Sequence, residues 1–78
     1  MRQALRTWID GLHRDVVLTE GCARDLAEMA DFLAQHGEHA TVDALRTVSR
    51  HHRVKAIQLR AQIAALSDRY ADLLSSFS

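Results

Sequence analysis

Residues 49–70 read SRHHRVKAIQLRAQIAALSDRY, two adjacent histidines in a basic run that leads into a regular ladder of apolar side chains. Stepping alternately four and three residues meets His52, Ala56, Leu59, Ile63, Leu66 and Tyr70, and the ladder extends forward to Leu73 and Phe77 and back to Ser49 and Leu45. These intervals average about 3.5 residues, the repeat that keeps one side of an α-helix against a partner helix, whereas a strand alternates every second residue. The segment reads as one arm of a helical pair.

Its partner lies upstream. Leu5, Ile9, Leu12, Val16, Thr19, Ala23, Leu26, Ala30 and Leu33 follow the same alternating intervals. Between the ladders, AQHGEHATVD at residues 34–43 offers Gly37 for the left-handed conformation that ends a helix and Thr41 to cap a new one. The boundaries this implies are helix A at about 2–36, a turn at about 36–40 and helix B at about 41–76, all within a single domain of residues 1–78. Two arms of equal length with so short a connection must be antiparallel neighbours, each about 50 Å long. The expected fold class is all-α: an antiparallel helical hairpin of two long helices that pairs into a four-helix bundle. The structural alternative is three helices with a break near Thr19–Gly21, where Thr19 can act as an N-cap and Gly21 costs about 1 kcal/mol relative to alanine.

Composition agrees. The chain has no proline, and its glycines stand only at positions 11, 21 and 37, so little interrupts a helix. Hydrophobic residues make up 47% and charged residues 26%, an ordinary globular balance. Ten Lys and Arg offset ten Asp and Glu, so net charge gives no reason for tight binding to nucleic acid or to an anionic membrane. One cysteine, Cys22, excludes an intramolecular disulfide framework. With no apolar run of signal-peptide or membrane-spanning length, the expectation is a cytoplasmic chain without a membrane partner.

More apolar surface is present than one partner helix can cover. Trp8, Cys22 and Met29 recur on one flank of helix A, and Val54, Ile57, Ala61 and Ala64 lie away from the main seam of helix B. Trp8, Met29, Val54 and Ile57 are therefore the expected partner-binding residues, contacting a second copy in a homodimer or another protein. An Ile57→Glu change is expected to disperse that assembly.

Charge is distributed unevenly. Arg46, Arg50, Arg53, Lys55 and Arg60 fall in a segment with no acid between Asp43 and Asp68. Arg46, Arg53 and Arg60 recur every seven residues, and with Arg50 they form the row a nucleic-acid-binding hairpin dimer would use. The competing account is structural: an antiparallel turn sets this row against Asp15, Glu20, Asp25 and Glu28, with pairs such as Glu20 and Arg53 selecting the register.

The remaining chemistry is sparse. Cys22 with His51 or His52 is the weak candidate for a metal- or redox-responsive site, but neighbouring helical residues point about 100° apart and no established ligand spacing is present. His52 falls on the seam near Thr19 and Ser49, where a polar layer fixes register. If it is buried and neutral there, stability falls as pH drops through about 6.5, because acid must charge it on unfolding. Cys22 and a histidine lack an orienting third group, and no glycine-rich phosphate loop occurs, so no enzyme and no cofactor are expected. The sequence reads as a small non-catalytic interaction module: an adaptor, chaperone or inhibitor working through an apolar helical face.

Overall fold

In the computed structural model, which describes residues 1–75, the chain forms helices α1 (Arg2–Gln35), α2 (His39–Arg69) and α3 (Ala71–Ser75). α1 and α2 lie side by side as an antiparallel hairpin whose Cα atoms extend over 56 × 15 × 15 Å. α1 runs unbroken through Thr19 and Gly21, because the apolar register is the same on both sides of the glycine; the three-helix alternative with a break there does not occur. The phase of the buried stripe outweighs the local propensity of one residue.

Gly37 makes the reversal, at φ 81°. The Glu38 N–H donates to the Leu33 carbonyl at 3.1 Å and the Gly37 N–H to the Ala34 carbonyl at 3.3 Å, the paired bonds of a Schellman motif. The His36 ring adds a side-chain bond, Nδ1 to the Phe32 carbonyl at 2.8 Å, and stacks on Phe32 with ring centroids 4.3 Å apart. α2 then begins two residues before Thr41, with Glu38 at the N-cap and no side-chain cap bond. Thr41 is thus an interior helical residue rather than the cap, because the chain leaves the Schellman turn already aimed along the new helix.

Helix B also ends earlier than its ladder suggests. α2 stops at Arg69, Tyr70 takes φ −113° and ψ 27°, and α3 continues as a short separate helix. Neither glycine nor proline marks the break. Its effect is to bring Leu74, which lies off the ladder, against the core alongside Leu66. Position 76, the expected helix end, and Phe77, the last rung, lie outside the described residues.

The core is lopsided. Within each ladder, alternate rungs are buried: Ile9, Val16, Ala23 and Ala30 on α1, and Val42, Ser49, Ala56 and Ile63 on α2, joined by Leu12. The intervening rungs, among them Leu26, Leu33, Leu45, Leu59 and Leu66, are only half-buried. Of Leu59, Ile63, Leu66 and Leu73, all core by periodicity, Ile63 alone is buried. One partner helix covers one edge of a two-row seam and leaves the other edge open.

Toward the open end the core is large-residue packing, with Ile9, Leu12, Val16 and Ile63 in one cluster. Toward the turn it is built of small residues, and Ala30 is completely buried. Close approach there brings the Ser49 Oγ within 2.7 Å of the Ala23 carbonyl, to which it donates. Ser49, 3% exposed, is the buried polar rung; His52 is half-buried beside it and does not form that layer.

These packing differences set an order of mutational sensitivity. Ile63→Ala should cost about 2–5 kcal/mol by chemical denaturation, with Leu59→Ala costing less because Leu59 is already part-solvated. Ala30→Leu should destabilise by about 1–3 kcal/mol, since a completely buried alanine leaves no room for added methylenes; an unchanged denaturation midpoint would contradict the close packing near the turn.

Candidate functional site

The hairpin has two unlike sides, and the ion pairs identify them. Glu20 accepts from Arg60 at 2.6 Å and Asp31 from Arg46 at 3.5 Å, so these residues share one side of the α1–α2 seam. Sequence reasoning paired Glu20 with Arg53; its partner is Arg60, one heptad further from the turn. The cause is side-chain direction. Helical side chains lean toward the N-terminus of their own helix, so in an antiparallel pair Glu20 leans away from the turn and Arg60 toward it.

On this side two shallow grooves adjoin. The first is lined by Glu20, Ala23, Arg24, Arg53, Ala56, Ile57 and Arg60, the second by Ala27, Asp31, Arg46, Ser49, Arg50 and Arg53. The expected nucleic-acid row, Arg46, Arg50, Arg53 and Arg60, is therefore together on one surface, and only part of it is spent on helix-A acids. Arg50 and Arg53 have no carboxylate partner among the described residues, nor has Arg24. Arg24 escaped the sequence reading because it sits in the acidic arm; its place one helical turn after Glu20 is the signal that puts it on the same side.

The opposite side carries the apolar flank of α1. Trp8 lines a groove with Gln62, Ala65 and Leu66, and a second one, at the open end of the hairpin, with Met1, Ala4, Leu5, Tyr70 and Leu73. Met29 and Cys22 follow Trp8 at seven-residue multiples, and Leu18 and Phe32 run beside them, all exposed to solvent. Leu5 and Leu66, two of the half-buried rungs, line these same grooves. Trp8 is 57% and Phe32 59% exposed, high values for aromatic side chains within long, ordered helices.

The four residues expected to form a single partner-binding face are thus divided between surfaces. Trp8 and Met29 belong to the apolar side, Ile57 lies in the arginine-lined groove, and Val54 stands one helical turn from Ile57 on the outward side of α2. All four are exposed. The apolar residues of helix B lie off the seam in the direction opposite to those of helix A, a sense that spacing within one helix does not reveal.

The candidate ligands Cys22, His51 and His52 do not assemble. Cys22 is exposed, the two imidazole centroids are 6.4 Å apart at 66°, and no three His, Cys, Asp or Glu side chains among the described residues are grouped to hold a metal ion. Among the described residues no helix is long and apolar enough to cross a membrane. No protein-family model, no curated protein and no solved structure matches the chain significantly.

Both ion pairs are well exposed, at 61% and 42% for the Arg60 and Glu20 side chains. Screening by solvent then limits each to at most about 1 kcal/mol. A double-mutant cycle of Glu20→Gln and Arg60→Gln should give a coupling energy within that limit, and a value above about 2 kcal/mol would show that the arginine side is needed to hold the hairpin together.

Proposed function

We propose that the chain is a non-catalytic protein-interaction module of the adaptor type, a hairpin that pairs through its apolar side with a second copy of itself to complete a four-helix bundle. One observation carries the reading: the half-buried rungs Leu5 and Leu66 line grooves with the exposed Trp8, whose flank of α1 continues at seven-residue multiples to the exposed Cys22 and Met29. An incomplete seam and an exposed apolar strip are thus one continuous surface, and covering it removes both from water.

Charge at the margins favours self-pairing. The strip is interrupted by Asp15 and Asp25 on α1, and by Lys55 and Arg69 on the corresponding flank of α2. In a two-fold pair with α1 laid on the partner's α2, acids meet bases; α1 laid on α1 sets acid beside acid. The opposite side would bring arginine rows together and is a poor self-interface.

Light-scattering mass across concentration tests the proposal. The expected result is a dimer that Trp8→Glu with Phe32→Glu converts to monomer while helical circular dichroism persists. Ile57→Glu, on the other side, should leave the mass unchanged. A wild-type monomer at all concentrations would refute self-pairing, and a dimer dispersed only by Ile57→Glu would place the interface on the arginine-lined side.

A further inference from the structure

The arginine-lined side is a second surface, separate from the apolar one. Arg46, Arg53 and Arg60 recur every seven residues along α2, about 10.5 Å apart along the helix axis. Between and beside them the floor is small, with Ala23, Ala27, Ser49 and Ala56 lining the two grooves. Ile57, 66% exposed, rises from this floor with Arg53 and Arg60 adjoining it.

We infer that this trough is a docking site for an acidic amphipathic helix of a partner protein. A helix carrying carboxylates on one face can pair them with Arg24, Arg50 and Arg53, and the small floor side chains of Ala23, Ser49 and Ala56, themselves buried, leave the grooves open between the arginines. Ile57 supplies the apolar anchor, and the surrounding guanidinium groups supply charge-assisted bonds and select against basic helices. The chain itself displays the recognition chemistry: Glu20 on Arg60 and Asp31 on Arg46 show carboxylates engaging two arginines of the row. Arg24, Arg50 and Arg53 are left for an incoming ligand. A single-stranded nucleic acid fits less well, because Trp8, Phe32 and Tyr70, which could stack on bases, are not among the residues lining these grooves.

The test uses fluorescence anisotropy of a labelled helix-forming peptide with glutamates seven residues apart on both flanks of a leucine stripe. The control peptide has the same composition with its glutamates moved to the far side of the helix, and a labelled oligonucleotide is measured in parallel. The expected result is saturable binding of the first peptide and about tenfold weaker binding of the control. Arg50→Glu with Arg53→Glu should weaken the first peptide by at least about tenfold without loss of helicity, and Arg50→Gln with Arg53→Gln should do the same in smaller measure. Equal affinity for both peptides, tighter binding of the oligonucleotide, or affinity unchanged by both arginine pairs would overturn the inference. Trp8→Glu with Phe32→Glu separates the two surfaces: peptide affinity per chain should persist even in a monomer, so failure of self-association and failure of acidic-helix binding are read independently.

Discussion

The close contact between Ala23 and Ser49 is the constraint on which the rest of the hairpin depends. At 2.7 Å the serine hydroxyl reaches a backbone carbonyl of the other helix, which requires small side chains on both sides of the seam. Ala23, Ala30 and Ala56 meet that requirement and are buried by it. A polar rung at this depth also has a definite partner on the other helix, so sliding one helix past the other forfeits that bond, at a cost of about 1 kcal/mol. Register is therefore held near the turn, by packing and one directional bond, and the larger side chains at the open end close on a geometry already set.

From that contact follows the inequality of the two sides. The helices come together along the rungs of alanine, serine and valine, and Arg46, Arg53 and Arg60 line the grooves along that edge. The leucine rungs are longer and lie on the edge away from the closest approach, where they stay half-open to solvent. A hairpin with one sealed edge and one open edge has a direction in which further burial is available. The apolar flank of α1 with Trp8 lies in that direction, which is why the proposed self-pairing would cover the open edge and Trp8 together.

Electrostatics divides the surfaces further. Among the described residues acid on α1 meets base on α2 at two ion pairs, and the surplus of arginine is concentrated where Arg24 joins Arg50 and Arg53. Exposed pairs contribute little to stability, so the row of arginines is not explained by holding the hairpin together. Its regular spacing over a floor of small side chains is the pattern expected of a surface that receives another helix. The proposed adaptor, with one side for assembly and the other for recognition, would account for both.

The sequence by itself determined the helices, the antiparallel hairpin and the reversal at Gly37, because each rests on local information: a repeat of about 3.5 residues, a short link and a residue tolerant of positive φ. It also identified the basic row and the exposed apolar residues, since both are periodic within one helix. Tertiary structure alone decided the rest. Whether Ile57 shares a surface with Trp8, whether Glu20 meets Arg53 or Arg60, and whether Ser49 or His52 is the buried polar rung all depend on the rotation and lean of one helix relative to another. Periodicity fixes the phase of a stripe along its own axis and says nothing of that rotation, which is set by how closely the small residues allow the two backbones to approach. The break at Tyr70 was likewise unreadable, because no glycine or proline stands there and what accompanies it is the seating of Leu74 against a core made by both helices.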